Sequence, residues 1–186
     1  MAINPRISLY EMLQGLPDGY VGEIVDGQLH ATPRPAPRHA VVLSVFGSDL
    51  LQSFQRGRGG PGGWLIIDEP EVHFVARQEV TVPDIAGWRR ERMSSLPDTA
   101  WFDVAPDWVC EIASPSTARY DRSNKLPLYE RHGVPFVWLV DPVECWLEVH
   151  ALKTGRYTCA GRIDGDEPIR QPPFEAVAIE VPWAGL

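Results

Sequence analysis

The spacing of apolar residues along the chain predicts a series of short strands. Residues Tyr20 to Val25 read as a strand, Asp26-Gly27 is a strong hairpin turn signal, and Gln28 to Ala31 returns as the partner strand. The nearly continuous apolar run from Pro135 to Val140 is typical of a strand buried on both faces, and we expect Trp138 to be buried within it. The other predicted strands are 64–68, 71–74, 79–82, 107–113, 145–152, 156–160 and 177–181.

Two helices are predicted in the first third of the chain. Ser8 and Glu11 form a capping box that opens a short helix, which Gly15 ends. A longer helix is predicted from about Arg38 to Gln55, and it should pack on the sheet. Its predicted apolar stripe consists of Val41, Val42, Val45, Leu50, Leu51 and Phe54.

A third helix is predicted from Asp121 or Ser123 to Arg131, with Gly133 just beyond its end. An interior proline costs a helix about 3 kcal/mol, so Pro127 should lie in or just beyond the first turn. The charged segment 89–92 has no such pattern and is predicted to be a mostly solvated connection.

Glu111 lies in the middle of the apolar strand predicted at 107–113. Strand side chains alternate between two faces, which places Val109, Glu111 and Ala113 on one face and Trp108, Cys110 and Ile112 on the other. A carboxylate among apolar neighbours is costly unless a cation, a hydrogen-bond network or solvent compensates it. The nearby candidates for a shared site are Asp84, at or just past the end of the 79–82 strand, and Lys125.

Composition limits the class of protein. The chain has 186 residues, 44% of them hydrophobic, and we take residues 1–186 as one domain. Three cysteines without C-x-x-C spacing indicate neither a disulfide framework nor a zinc site, and no apolar run reaches the length of a membrane span. We therefore expect a cytoplasmic protein that does not bind membranes.

The net charge of −8 argues against strong sequence-independent binding to nucleic acid, yet it is compatible with a metal-dependent nuclease. Asp84 and Glu111 are hard oxygen ligands of the kind that Mg²⁺ or Mn²⁺ takes, and a lysine beside them completes a set that can hydrolyse a phosphodiester. Each residue also has a structural interpretation. Asp84 could cap a turn, Glu111 could pair with a buried arginine, and Lys125 could be a solvated helix residue.

Several motifs in a fixed order carry a resemblance to a known family. They are Glu23-Ile-Val-Asp-Gly-Gln28, His39, Val82-Pro83-Asp84, Val109-Cys-Glu111-Ile-Ala-Ser-Pro-Ser-Thr117, Asp121 to Lys125 with Tyr129, and Gly133 to Pro142. With these motifs the chain resembles the PD-(D/E)XK nuclease superfamily and, more closely, the bacterial restriction-endonuclease-like group called the Uma type. The resemblance covers nearly the whole chain.

This resemblance implies an α/β (α+β) fold, a mixed central β-sheet flanked by helices, with additional β-hairpins. It also implies a nuclease acting on DNA with Mg²⁺ or Mn²⁺, and a homodimer. The roles it implies are Asp84 and Glu111 as metal ligands, Lys125 as the catalytic lysine and Glu23 as an accessory carboxylate. Further accessory candidates are His39, Asp121 and Tyr129.

One position departs from the superfamily pattern. The lysine expected two residues after the glutamate is replaced by Ala113, and Lys125 from the following helix is the substitute. The alternative function is a catalytically silent nuclease-fold module that binds a protein or nucleic-acid partner.

Overall fold

The computed structural model describes residues 7–114, 117–180 and 183. The strands are β1 Tyr20–Val25, β2 Gln28–Pro33, β3 Trp64–Asp68, β4 Val72–Val75, β5 Glu79–Thr81, β6 Ile85–Arg89, β7 Trp108–Ile112, β8 Phe136–Asp141, β9 Trp146–Lys153 and β10 Arg156–Asp164. The helices are α1 Leu9–Gln14, α2 Pro37–Leu50, α3 Ala118–Tyr120 and α4 Leu126–Arg131. Two π-helical segments, Leu51–Gln55 and Asp121–Lys125, continue α2 and α3.

Across the described residues the strands form two sheets. The larger sheet has the order β10-β9-β8-β7-β6-β3, and the smaller has the order β2-β1-β5-β4. Within the larger sheet β7 and β8 are parallel, and the other neighbours are antiparallel. This confirms the mixed α+β fold, with the predicted β1–β2 hairpin placed outside the larger sheet, in the smaller one, where β1 pairs with β5. None of the helices in the described ranges has the length and apolar character needed to cross a membrane.

The predicted alternation along β7 is confirmed by its packing. Trp108, Cys110 and Ile112 belong to one buried cluster, whereas Val109 belongs to another. Trp138 on the neighbouring β8 is fully buried, as predicted, and its indole N–H donates a 2.7 Å hydrogen bond to the carbonyl of Pro172. The central strands therefore separate two cores, one on each face of the sheet.

Helix α2 confirms the predicted element but corrects its buried stripe. Val41 and Val45 are 45% and 37% exposed, so their assignment to the core is wrong. The buried residues of α2 are His39, Val42, Phe46, Gly47 and Leu50. His39, Val42, Phe46 and Leu50 recur every three or four residues, which follows the helical period. The buried face includes a histidine, which a search for apolar residues does not detect.

The third helix begins earlier than predicted, at Ala118. The backbone N–H of Leu126 donates to the carbonyl of Asp121, five residues back, so the helix is locally widened into a π turn. Pro127 follows in the first positions of α4, and it has no N–H to contribute. The prediction that this helix starts late enough for Pro127 to lie in or just beyond its first turn is wrong, because the helical run from Ala118 continues through Pro127. Pro127 does lie at the start of α4, directly after the π segment.

Strand β6, which begins directly after Asp84, was not predicted. Asp84 follows β5, which lies in the smaller sheet, and directly precedes β6, which pairs with β7. The sequence of β6 contains Gly87, a residue depleted in strands, but a Cβ there would lie 3.2 Å from the Trp108 ring and 3.3 Å from the Trp64 ring. A side chain at this position would crowd both indole rings, so their close packing favours glycine here.

The structure also corrects two predictions about segment 89–92 and residues 177–181. Arg89 is exposed, as expected of segment 89–92, but it ends β6 and is not part of an irregular connection. The predicted strand 177–181 is wrong over residues 177–180, where an isolated bridge pairs Ile169 with Ile179, and Val181 lies outside the described residues.

Candidate active site

Four separate elements bring acidic side chains to one pocket of about 370 Å³. Glu23 comes from β1 of the smaller sheet, Asp84 from the connection between β5 and β6, and Glu111 from β7 of the larger sheet. Asp121 and Lys125 come from the second π-helical segment, at its two ends. The pocket therefore lies where the two sheets and the widened helix meet.

Lys125 is buried at the centre of this site. Its Nζ lies 2.8 Å from both carboxylate oxygens of Glu111 and 2.9 Å from Oε1 of Glu23. Burial lowers the pKa of Lys125, but the charges of Glu111 and Glu23 outweigh it and hold the pKa well above the usual range of lysine. Lys125 is thus a protonated cation that links the two sheets through their carboxylates.

Glu111 is the most deeply placed carboxylate, with 2% of its surface exposed. The hydroxyl of Tyr129 donates a 2.5 Å hydrogen bond to its Oε1. Burial raises the pKa of Glu111, Lys125 opposes the rise, and repulsion from Asp121, Asp84 and Glu23 adds to it. A further positive charge near Glu111 would relieve that repulsion.

Asp84 is held by two donors from different elements. Its Oδ2 accepts a 2.6 Å hydrogen bond from the backbone N–H of Ile112, and its Oδ1 lies 3.0 Å from Nε2 of His39. Burial lowers the pKa of His39, but its hydrogen bond to Asp84 and the negative charge there raise the pKa above the usual range. The Asp84 side chain is 18% exposed, more than that of Glu111 or Glu23.

Asp121 adds a further carboxylate at the start of the π segment. Burial raises its pKa to about 6, the attraction of Lys125 opposes this, and repulsion from Asp84 and Glu23 adds to it. Its backbone carbonyl accepts the N–H of Leu126, the bond that defines the π turn. The same local distortion therefore positions both Asp121 and Lys125.

The donor chemistry of the pocket fits a divalent cation. Five carboxylates line it, those of Glu23, Glu69, Asp84, Glu111 and Asp121, against the single ammonium of Lys125. Among the residues that the structure describes, no three His, Cys, Asp or Glu side chains are arranged to hold a metal ion. Mg²⁺ needs only one or two carboxylates and keeps several waters, so a site of two carboxylates suffices.

All seven predicted site residues occupy this region. Six of them line the pocket, namely Glu23, His39, Asp84, Glu111, Asp121 and Lys125. Tyr129 reaches Glu111 from α4. The structural interpretations of a buried arginine beside Glu111 and a solvated Lys125 are wrong, since the cation at Glu111 is Lys125 itself.

Three charged or aromatic lining residues were not predicted, Arg34, Glu69 and Tyr120. Glu69 joins the site because its backbone N–H donates to the carbonyl of Asp84 at 2.9 Å. The only sequence signal for Tyr120 is its position directly before Asp121. Arg34 lies in a proline-rich loop, and nothing in its local pattern indicates a pocket.

Comparison with known proteins agrees with this architecture. The Uma2 family model, described as "Putative restriction endonuclease", matches residues 8–182, and the chain belongs to this family. A crystal structure described as "a putative nuclease belonging to DUF820" from Anabaena variabilis ATCC 29413 has a TM-score of 0.73 and 23% sequence identity. The similarity covers 94% of this chain and 95% of that one, which shows a common fold. No curated protein matches the chain.

Proposed function

We propose that this protein is a divalent-metal-dependent nuclease that hydrolyses phosphodiester bonds in DNA. Membership of the Uma2 family supports a nuclease-like function. The observation that carries the proposal is the gathering of five carboxylates in a single pocket, where two of them, Glu23 and Glu111, hold one buried lysine. Such an excess of negative charge needs a cation before a phosphate can approach, and Mg²⁺ or Mn²⁺ supplies it.

Asp84 and Glu111 are the residues that would hold the ion. They belong to adjoining elements, since the Asp84 carboxylate accepts the backbone N–H of Ile112, the residue after Glu111. A divalent cation bound there polarises the phosphodiester and lowers the pKa of a bound water. Asp84 is the more accessible of the two, so it is the ligand that faces an incoming substrate.

Lys125 supplies a fixed positive charge beside the reacting phosphate. It remains protonated, because Glu111 and Glu23 hold its pKa well above the usual range. Its role is to orient the attacking water and stabilise negative charge that develops on the phosphate oxygens. Its burial means that this charge is preorganised before substrate binds.

The accessory residues act through the ligands and the lysine. Glu23 fixes Lys125 from the smaller sheet, and the backbone N–H of Val82 in turn fixes Glu23 at 2.8 Å. Tyr129 orients the Glu111 carboxylate, and His39 orients that of Asp84. These three are positioning residues, and they connect the metal ligands to both sheets and to α2.

The test measures metal binding and cleavage in the same variants. Asp84→Asn and Glu111→Gln should each abolish Mn²⁺ binding in calorimetric titration and cleavage of labelled DNA, because each removes a ligand charge while keeping the side-chain shape. Asp98→Asn and Glu175→Gln are matched controls on exposed carboxylates outside the pocket, and both should behave like the parent. If either ligand variant binds Mn²⁺ as tightly as the parent, the ligand assignment is wrong.

One observation favours the alternative, a catalytically silent nuclease-fold module that binds a partner. Both carboxylate oxygens of Glu111 already contact protein donors, Lys125 and Tyr129. The silent module predicts no Mn²⁺ binding and no cleavage of single-stranded or double-stranded DNA by the parent protein. The same titration and cleavage assay therefore decides between the two functions.

Dimerisation remains a prediction from the superfamily resemblance. Sedimentation analysis of the purified protein, with and without Mn²⁺, should give the mass of a homodimer. The mass of one chain under both conditions would contradict it.

A further inference from the structure

The depth and the rim of the pocket bear on which form of nucleic acid it accepts. The reacting groups lie at its floor, where Glu111 and Lys125 are only 2% and 3% exposed. A duplex is a stiff rod that costs free energy to bend, so it fits the floor of a recessed pocket less readily than a flexible strand does. A single strand bends freely and can insert one nucleotide at a time.

The pocket and its surroundings have the two features that single-strand sites combine, an aromatic surface and a cation. Tyr120 lines the pocket, and its ring packs on the His30 ring with centroids 4.5 Å apart at an angle of 42°. His30 pairs directly across the β1–β2 hairpin with Glu23, so both side chains lie on the same face of the smaller sheet. The half-buried pair thus lies beside the acidic floor.

Arg34 supplies the positive charge at the mouth. It is exposed, it lines the pocket, and its backbone N–H donates a 2.9 Å hydrogen bond to the carbonyl of Gly19, which anchors the loop that carries it. Pro33 and Pro35 flank it and give the adjoining wall an apolar, conformationally restricted backbone. An exposed guanidinium above an acidic floor can bind a phosphate outside the reacting centre.

We infer that the substrate is single-stranded DNA, or a single-stranded segment of a longer DNA, which enters along the His30–Tyr120 pair and Arg34. This inference rests on the proposed function, since it assigns a substrate class to the same pocket. Bases stack on the aromatic pair, and Arg34 binds the backbone of the adjoining nucleotide. The phosphate that enters deepest reaches Asp84 and Lys125.

The first measurement is the affinity of the parent protein for labelled single-stranded DNA and for a duplex of the same sequence. Fluorescence anisotropy in Ca²⁺, a hard cation that also takes oxygen ligands, reports binding separately from cleavage. The single strand should bind at least about ten-fold more tightly. Equal or tighter binding of the duplex, or no binding of either DNA, overturns the inference.

Variants locate the binding surface. Arg34→Gln and His30→Ala should each weaken single-strand binding by about ten-fold, the size of one lost stacking or phosphate contact. Lys153→Gln is the matched control, because Lys153 is exposed on the β9–β10 hairpin and does not line the pocket. Arg34 is an exposed loop residue, so its variant remains informative if His30→Ala fails to fold. Unchanged affinity in Arg34→Gln places the strand elsewhere and overturns the inference.

Cleavage in Mn²⁺ separates failure of this inference from failure of the proposed function. Faster cutting of the single strand than of the duplex supports both. Equal or faster cutting of the duplex overturns the single-strand inference and leaves the nuclease function intact. Arg34-dependent single-strand binding without cleavage of any DNA overturns the nuclease function and leaves the binding surface intact.

Discussion

The two faces of strand β7 meet surroundings of different chemistry. On one face Trp108, Cys110 and Ile112 pack into an apolar core, and on the other Glu111 meets Lys125 and Tyr129. Both faces are buried, so the difference lies in chemistry and not in depth. The comparison indicates that a single strand presents only apolar side chains to one core and, on its other face, contributes a carboxylate to the charged cluster that lines the pocket.

The apolar face is built from stacked and edge-on aromatic rings. Ring centroids of Trp108 and Trp138 lie 5.4 Å apart at 85°, and Phe174 lies 4.8 Å from Trp108 and 5.6 Å from Trp138. These are favourable edge-to-face arrangements that stabilise beyond the area they bury. Phe174 comes from the C-terminal region, so that region completes this core.

Burying the charged side chains of the polar face costs folding free energy, and their ion pairs and hydrogen bonds offset that cost. Replacing a buried ion pair with apolar residues is often neutral or stabilising, whereas removing one partner leaves an uncompensated charge. Glu23, Glu111 and Lys125 are all at least nine-tenths buried. Keeping such a cluster is physically reasonable where the charges serve binding or catalysis.

Replacing Trp138 tests the apolar face and carries the largest expected loss of stability. Trp138→Ala should lower the free energy of unfolding by about 3–5 kcal/mol, because it opens a cavity and leaves the Pro172 carbonyl without its donor. Chemical denaturation of the parent and the variant measures this difference in the free energy of unfolding. Trp146→Ala, on the partly exposed Trp146, is the control and should cost less. An unchanged melting temperature for Trp138→Ala would contradict the central role of this core.

Replacing Lys125 tests the polar face. Lys125→Met should abolish DNA cleavage, retain Mn²⁺ binding, and lower the free energy of unfolding by about 3 kcal/mol without metal, because two carboxylates lose their cation. Saturating Mn²⁺ should recover part of that stability, since it binds only the folded site.

A second substitution sharpens that result. Adding Glu23→Gln to Lys125→Met removes one of the two uncompensated charges and should restore part of the lost stability but none of the cleavage. Full cleavage activity in Lys125→Met would remove Lys125 from the mechanism.

Ala113 stands where the superfamily pattern has its lysine, so a lysine can be introduced there to test whether it restores cleavage. Ala113 continues the Glu111 face of β7, so in the Lys125→Met background Ala113→Lys should restore part of the cleavage measured in single turnover with Mn²⁺. Failure of the rescue with an unchanged melting temperature would indicate that a lysine from this position does not reach the reacting phosphate. A lowered melting temperature would instead indicate overpacking, which costs about 1–3 kcal/mol.

The smallest expected effect concerns how the π segment is held. Arg122 makes two hydrogen bonds of 3.1 and 2.9 Å to Glu148 on β9, tying the segment that carries Asp121 and Lys125 to the larger sheet. Arg122→Met should cost about 1 kcal/mol, because the pair is partly exposed. It should also slow cleavage, whereas Arg162→Met, whose guanidinium lies 3.9 Å from the same carboxylate, should not. Equal cleavage rates in the two variants would contradict a positioning role for Arg122.

Local patterns in the chain were sufficient to determine most elements and the candidate residues. The capping box at Ser8, the hairpin at Asp26-Gly27 and the apolar run at β8 are signals contained within a few residues, and each is confirmed. The period-two alternation of β7 is enough to place Glu111 and Trp108 on opposite faces of the strand. The cap, the turn, the apolar run and the strand alternation depend on backbone geometry and on the order of apolar and polar residues, which can be read from a few neighbouring positions.

Only the tertiary structure decided strand β6, the full lining of the pocket and the partners of Lys125, because these features depend on contacts between distant segments. The glycine in strand β6 is explained by its packing against the rings of Trp64 and Trp108, which come from two other strands. Arg34 and Glu69 have no local signal for a pocket, and long-range packing brings them to it. The ion pairs that join Lys125 to Glu23, on the smaller sheet, and to Glu111, on the larger, span 102 and 14 residues of sequence, and no short-range pattern specifies them.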